Sequence, residues 1–315
     1  MRIAKEIKAY LGTAVDYGMS KIVFFQDKNG SWAYRKRQNS ADVTAGNTML
    51  LQDYFDYLKR FQPNARVEMF SGSISRGSEF LLSLYPDKHT FNEHLGYGPE
   101  PKTTADWIRC EYRNRDAACQ VENSVETLES LITPVGNVKF QGNYRMQNEI
   151  TAGLSASVAL KLVGRRNEVL EKKTLSKMRD GWFECGPVPI SQPIYWGFSK
   201  FGATRRELTS GVLSTCIEKL DYPSESSEMQ EMREALLTKP IKLNSLVKRI
   251  SKPTLLGVGR ALCASDPERK LENLPPYILS AIHHALYNPP SDRLRYVRVM
   301  VQLQCLRNLT ETTRN

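Results

Sequence analysis

The sequence lacks the short motifs by which many enzyme families are recognised. It contains no glycine-rich phosphate loop that ends in Lys-Ser or Lys-Thr, no Gly-x-Ser-x-Gly turn and no His-Glu-x-x-His zinc motif. Because the chain has only 4 histidines, a mechanism that depends on a histidine base has few candidates. We therefore predict a protein that is not an enzyme and that needs neither a cofactor nor a metal ion.

Paired cysteines and long apolar runs are also missing. The 6 cysteines, at positions 110, 119, 185, 216, 263 and 305, have the spacing of neither a compact disulfide scaffold nor a structural zinc site. Charges interrupt the N-terminal segment MRIAKEIKAYLGTAV, so it does not have the pattern of a signal peptide. No stretch approaches the roughly 18 apolar residues of a membrane-spanning helix. These absences predict an intracellular protein, in the cytoplasm or the nucleus, that does not bind a membrane.

Positive charge is what the sequence has in excess. Its 44 Lys and Arg residues outnumber 34 Asp and Glu residues, which gives a formal net charge of +10 at pH 7. The hydrophobic fraction of 41% is that of an ordinary globular protein, so the charge does not indicate disorder. A basic protein attracts nucleic acid, an anionic membrane or an acidic protein face, and the charge can also serve solubility alone.

The hydrophobic pattern predicts an α+β fold that is predominantly α-helical, with a small mixed α/β N-terminal region followed by a larger helical region. Near the N-terminus, Lys21 to Phe25 and Ser31 to Arg35 have the composition of strands. The Asn29-Gly30 pair between them predicts a hairpin turn. The other elements predicted there are a short helix, an amphipathic helix and a further strand, at 3–11, 49–61 and 65–70.

A segment rich in proline and glycine divides the predicted chain. Residues 87–104 show little hydrophobic periodicity, which predicts a linker between an N-terminal region at 1–86 and a mainly helical domain at 105–315. From Thr204 onward one predicted helix follows another. The last, Ser291 to about Leu309, is apolar nearly all round, and such a helix is usually buried in a core or against a partner.

Aromatic and basic residues come together at the end of the predicted hairpin, at Trp32, Tyr34, Arg35, Lys36 and Arg37. Aromatic rings stack on bases and cations meet phosphates, so this composition suits single-stranded RNA. The same charges would also protect an edge strand from aggregation. The sequence therefore predicts either an RNA-binding surface or a defended edge at these residues.

Other reactive or charged residues also have two readings. Cys110 and Cys119 flank several charges, and a positive neighbourhood lowers a thiol pKa, but the sequence places no base beside either thiol. Asp53 and Asp56 have the spacing of one helix face and could serve metal-assisted chemistry, although a solvated face explains them better. Basic pairs such as Arg165-Arg166 and Lys172-Lys173 would extend an RNA surface only if folding gathered them together.

Two segments resemble the non-structural protein (NSs) that the small genome segment of phleboviruses encodes. In Val188-Pro189-Ile-Ser-Gln-Pro193-Ile-Tyr-Trp196-Gly-Phe198, a Pro-x-x-x-Pro pattern precedes aromatic residues, as in the middle of that family's chains. In Val301-Gln-Leu-Gln-Cys305-Leu306-Arg307-Asn-Leu309, Cys, an aliphatic residue and Arg follow one another, as in the family's late helix. Together these segments cover about 20 of the 315 residues.

The resemblance implies a viral, non-enzymatic protein that binds host factors and antagonises innate antiviral (interferon) signalling. The implied partner is a host innate-immune or transcription protein in the cytoplasm or nucleus, and self-assembly into a homo-oligomer is implied as well. The implied contact residues lie in the middle segment and just before it: Trp182, Phe183, Pro189, Pro193, Tyr195, Trp196 and Phe198. These aromatics would alternatively close a core between two subdomains. The competing functional prediction is a basic RNA-binding protein of nucleocapsid or silencing-suppressor type.

Overall fold

Helices dominate the protein in a computed structural model that describes residues 2–35, 38–39, 41–65, 67–83, 101–139, 146–183 and 205–238. The prediction of a predominantly α-helical protein is confirmed for these residues. In chain order the elements are α1 (Arg2–Phe24), β1 (Ala33–Arg35), β2 (Gln38–Asn39), α2 (Ala41–Phe61), α3 (Glu68–Ser83), α4 (Pro101–Glu111), α5 (Ala118–Ser130), α6 (Met146–Leu162), α7 (Glu168–Phe183), α8 (Arg205–Leu220) and α9 (Ser227–Thr238).

Helix α4 lies at the centre of one compact unit, which falls within Ile22–Ser191. It packs against α2, α5 and α6 and touches α3. Trp107 and Ile108 are 0% exposed, and the helix is buried along nearly its whole length. Pro101 occupies the first position of α4, where its missing N–H costs nothing because first-turn amides have no partner within a helix.

The predicted linker at 87–104 does not separate the described helices. Its last four residues, 101–104, form the first turn of α4. Helix α4 packs against α2 and α3, which precede this segment in the chain, and against α5 and α6, which follow it. Helices from both predicted regions therefore share one core. The described residues divide elsewhere: the second compact unit contains Met1–Lys21 together with α8 and α9.

Two predicted strands near the N-terminus are wrong. The segment from Lys21 to Phe25 continues α1, which ends at Phe24. Val15, Met19 and Ile22 are buried at helical spacing and carry the apolar face of α1 into this segment. A short apolar run fits a strand and a buried helix equally well, so composition alone misassigned it. The strand predicted at 65–70 fails likewise, because α3 begins at Glu68.

The Asn29-Gly30 pair forms a turn, but this turn joins a helix to a strand. The N–H of Gly30 donates to the carbonyl of Asp27, and the N–H of Asp27 donates to the carbonyl of Ser31, both over 2.9 Å. Gly30 has a φ of 87°, which glycine adopts without strain. The hairpin itself comes later in the chain, where β1 and β2 pair antiparallel.

The later helices agree better with the sequence pattern. The helix predicted at 49–61 overlaps α2, and the helices predicted from Thr204 onward include α8 and α9. In α8, Val212, Cys216 and Leu220 are buried at helical spacing. This helix ends in a left-handed cap, in which Asp221 has a φ of 54° and the N–H of Tyr222 donates to the carbonyl of Cys216 over 3.0 Å. The predicted helices beyond 238, including Ser291 to Leu309, lie outside the described residues.

Candidate interaction surfaces

Trp32, the first residue of the predicted RNA-binding run, is a core residue. Its side chain is 4% exposed, and its indole Nε1–H donates to the carbonyl of Ile22 over 2.8 Å. Its backbone N–H donates to the hydroxyl of Thr44 over 3.1 Å. A ring held in this way is not open to a nucleic-acid base, so Trp32 belongs to the core and not to an RNA-binding surface.

The other predicted contact residues receive little or no structural description. Tyr34 and Arg35 lie in β1, and Trp182 and Phe183 lie in the last turn of α7. For these four residues the structure describes the backbone but not the side chain. The remaining ones lie outside the described residues altogether: Lys36, Arg37, Pro189, Pro193, Tyr195, Trp196 and Phe198. The RNA-binding and partner-binding roles of these residues stay predictions.

An exposed aromatic pair, Phe24 and Phe25, stands at the C-terminal end of α1. Phe24 is 74% exposed and Phe25 is 51% exposed. Their rings meet edge to face with centroids 5.3 Å apart. Both residues fall in a strand predicted from the sequence, and their exposure was not predicted, because an apolar run does not show which of its side chains the fold leaves uncovered.

Hydrogen bonds of Gln26 fix the backbone directly after this pair. The side-chain Nε2 of Gln26 donates to the carbonyls of Gly30 and Ser73, each over 2.9 Å. Its Oε1 accepts from the hydroxyl of Ser73 over 2.7 Å and from Nη2 of Arg76 over 2.8 Å. One glutamine therefore ties the end of α1 and the following turn to α3, and the two phenylalanines are presented on a rigid support.

A second candidate surface, the α2–α4 corner, consists of three exposed cations that lie over partly buried aromatic rings. The ammonium of Lys59 is 4.1 Å from the ring centroid of Phe55. The guanidinium carbons of Arg60 and Arg113 lie 4.9 Å and 5.1 Å from the ring centroids of their sequence neighbours, Phe61 and Tyr112. Nη1 of Arg113 contacts Oδ2 of Asp56 over 3.2 Å, which joins the turn after α4 to α2.

The basic pair Arg165-Arg166 is neutralised by carboxylates. Arg165 donates to Glu122 and, over 3.0 Å, to Glu129, both on α5. Arg166 holds Glu171 through Nε and Nη2, with a shortest contact of 2.9 Å, and Glu171 is 2% exposed. These arginines tie the start of α7 and the end of α6 to their surroundings, so they do not extend a basic RNA surface.

The carboxylate of Asp106 is a buried structural group in α4. Lys102 Nζ lies 2.7 Å from its Oδ2, and Arg109 Nη1 lies 3.1 Å from its Oδ1. Burial by itself would raise the pKa of Asp106, but the positive charges of Lys102 and Arg109 outweigh it and hold the pKa below its ordinary value. Asp106 is therefore an ionised anchor within α4.

The thiol of Cys110 is buried and inert. Its Sγ donates to the carbonyl of Ala45 over 3.3 Å. Burial, followed by the nearby charges of Glu111 and Asp106, raises the pKa of Cys110 well above its ordinary value, so the nucleophilic thiolate is suppressed. Within the described ranges, no group of three or more His, Cys, Asp or Glu side chains is placed to hold a metal ion.

No protein-family model matches this chain, and no curated protein is significantly similar to it. Function is therefore argued from its own residues. Among the described helices, none combines the length and the apolar character that crossing a membrane requires.

Proposed function

We propose that this protein is a viral, non-enzymatic interaction protein that binds a host factor and thereby antagonises innate antiviral (interferon) signalling. The observation that carries the proposal is the Phe24–Phe25 pair, because large apolar side chains exposed on a rigid support are typical of protein-binding surfaces. The resemblance of 188–198 and 301–309 to phlebovirus NSs supports the viral and host-directed part of the proposal.

The fixed backbone beside Phe24 and Phe25 lowers the entropy cost of forming an interface there. Each flexible side chain that binding immobilises costs about 0.5–1.5 kcal/mol. Here Gln26 and the turn that ends at Gly30 have already fixed the backbone beside Phe24 and Phe25, so a partner gains apolar burial with little loss of entropy. Charges of both signs follow the pair, since Asp27 and Lys28 are exposed in the next turn. The fitting partner is therefore a protein with an apolar pocket.

The chemistry of α4 is consistent with a binding protein. Two side chains that could serve an enzyme are instead occupied in structural contacts: Cys110 joins α4 to Ala45 of α2, and Asp106 pairs with cations of α4 itself. The proposal includes the remaining sequence predictions: a small mixed α/β part ahead of the larger helical part, action in the cytoplasm or nucleus of the host cell, and self-association.

The test is an affinity pull-down from interferon-competent cells, treated with nuclease, that compares wild type with two variants. Phe24→Ser/Phe25→Ser removes the exposed pair, and Trp196→Ala removes an aromatic of the resemblance segment. The matched control is Val135→Ser, since Val135 is 62% exposed and belongs to a different segment, the turn after α5. We expect one host protein of the innate-immune or transcription machinery to be retained by wild type and control and reduced about tenfold or more by Phe24→Ser/Phe25→Ser.

The same experiment separates the alternative function. If every captured protein disappears after nuclease treatment, the host-factor proposal fails and the basic RNA-binding reading takes its place. A different result would place the binding surface elsewhere. If Phe24→Ser/Phe25→Ser retains the host protein and Trp196→Ala loses it, the host-factor function stands and its binding surface is the segment around Trp196. Purified partner and purified full-length protein should then reproduce the difference in affinity by calorimetry.

A further inference from the structure

The α2–α4 corner contains three cation–aromatic pairs. Each cation lies within 5.1 Å of the centroid of its ring. In the described residues of this unit these pairs belong to the end of α2 and the turn directly after α4, and the contact between Arg113 and Asp56 links them. The RNA-binding surface predicted from the sequence consists of other residues, so this corner is a separate surface.

The core beneath the corner holds the rings in place. Tyr54 and Tyr57 of α2 are 2% and 3% exposed, and the ring of Tyr57 lies 5.1 Å from that of Phe61. On the α4 side, Nε2 of Gln52 donates to the carbonyl of Cys110 over 3.1 Å. The two ends of the corner are therefore fixed relative to each other by packing and by a hydrogen bond between buried segments.

Two of the cations at the corner, Lys59 and Arg113, are accessible to a ligand. Lys59 has no carboxylate partner in the part of the chain that the structure describes, and the same holds for Arg115 in the turn after α4. The side chains of Arg113 and Asp56 are 69% and 50% exposed, and ion pairs so exposed contribute little and exchange readily for another anion. Asp53 of α2 and Asp116 of the turn after α4 lower the positive potential of the corner. Contacts to the rings must therefore supply part of the affinity for an anionic ligand.

Single-stranded RNA is the ligand that fits this combination. Phosphates bind lysine and arginine, while unpaired bases stack on aromatic rings and on the flat faces of guanidinium groups. A guanidinium held over a ring presents such a flat face in a fixed orientation. We propose that the α2–α4 corner binds single-stranded RNA without sequence preference, through phosphate contacts of Lys59, Arg60 and Arg113 and base stacking at the rings. This site goes beyond the host-factor function and does not depend on it.

The experiment measures fluorescence anisotropy of a labelled 20-nucleotide oligouridine with the full-length protein, at salt concentrations from about 50 to 200 mM. Wild type should bind with a Kd of about 1–100 μM and lose affinity as salt rises. The variant Lys59→Gln/Arg60→Gln/Arg113→Gln should bind at least about tenfold more weakly, and the slope of log K against log salt should become shallower by about 0.7 for each phosphate contact removed.

A charge-matched variant separates this site from general basicity. Lys139→Gln/Arg165→Gln/Lys172→Gln removes the same number of positive charges, all outside the corner, and should keep the affinity within about twofold of wild type. The variant Phe55→Leu keeps an apolar side chain but removes a ring, and should weaken binding several-fold while leaving the salt slope unchanged. Urea denaturation of each variant checks that the fold is intact, and Lys59→Gln alone replaces the triple variant if that variant unfolds.

Three results would overturn the proposal. They are no binding at 50 mM salt with up to about 100 μM protein, an equal loss of affinity in both charge variants, and equal affinity for a duplex of the same length, whose stacked bases cannot reach the rings. None of these results bears on the capture of a host protein after nuclease treatment, so the failure of this site and the failure of the host-factor function are distinguishable.

Discussion

The indole N–H of Trp32 donates a 2.8 Å hydrogen bond to the carbonyl of Ile22, which lies in the last turn of α1. Carbonyls in the last turn of a helix have no partner within the helix. Trp32 therefore satisfies an otherwise unpaired group, and its ring packs close to Gly77 of α3. This single contact ties β1 to the helix end that presents Phe24 and Phe25.

Replacing Trp32 should destabilise the protein without changing its affinity for RNA. Trp32→Phe leaves the carbonyl of Ile22 without its donor and leaves a small cavity, so we expect the free energy of unfolding to fall by about 2–3 kcal/mol. Phe24→Ser, at a side chain that is 74% exposed, should change it by less than about 1 kcal/mol. Urea denaturation measures both values, and equal effects of the two substitutions would contradict the core role of Trp32.

Two glycines with similar backbone angles should differ strongly in their tolerance of alanine. Gly30 has a φ of 87° and Gly164 a φ of 77°, so alanine is strained at either position by about 1–2 kcal/mol. A Cβ at Gly164 meets nothing within 4 Å, whereas one at Gly30 would overlap the carbonyl of Arg76. Gly30→Ala should therefore cost at least about 2 kcal/mol more than Gly164→Ala in thermal or urea unfolding. Similar costs would mean that the turn does not pack closely on α3.

Cys110 and Cys119 should differ in reactivity in the folded protein. Burial raises the pKa of the Cys110 thiol, so little thiolate exists at pH 8, and the side chain is also shielded. Cys119 is exposed on α5. Timed alkylation with iodoacetamide, read by peptide mass spectrometry, should label Cys119 within minutes and Cys110 only after unfolding in urea. In Cys119→Ser the fast labelling of that peptide disappears, and equally fast labelling of Cys110 would refute its burial.

Asp106 should make the stability of the protein sensitive to acid. Its pKa in the folded state lies below the ordinary 3.8, so the folded state favours the ionised carboxylate. The stabilisation is then fully present above the ordinary pKa and is lost as pH falls through the lowered one. Asp106→Asn should cost about 2–4 kcal/mol at pH 7, because Lys102 and Arg109 lose a buried partner.

The pH dependence provides the control for that prediction. Between pH 5 and pH 2, wild type should lose stability more steeply than Asp106→Asn, measured by urea unfolding at each pH. Asp56→Asn, which breaks an exposed pair with Arg113, should shift stability by less than about 1 kcal/mol and leave the acid slope close to that of wild type. Parallel acid profiles of wild type and Asp106→Asn would show that Asp106 is not held ionised.

Helical periodicity predicted much of the described fold because burial repeats with the period of the helix. The face of α8 with Val212, Cys216 and Leu220 is an example. The run from Lys21 to Phe25 failed because an apolar segment of five residues has no period long enough to distinguish a strand from a helix. The run continues the buried face that Val15 and Met19 form earlier in α1, and this continuity is recognised only when the whole helix is considered.

The surfaces were less predictable than the helices. Composition placed RNA contacts at Trp32, an aromatic residue next to a basic run, but a sequence does not show whether a ring faces solvent or core. The α2–α4 corner brings together residues more than fifty positions apart, such as Asp56 and Arg113, which only folding makes neighbours. The neutralisation of Arg165 by Glu122 and Glu129 is equally a consequence of packing between α5 and the end of α6.

By itself the sequence determined a basic chain in which helices predominate, because net charge is additive and the hydrophobic period is a local property. The tertiary structure decided which of the described aromatics and cations are available to a partner. Burial and ion pairing depend on long-range contacts, so Trp32 and Arg165 are occupied within the protein while Phe24, Phe25 and Lys59 remain at its surface.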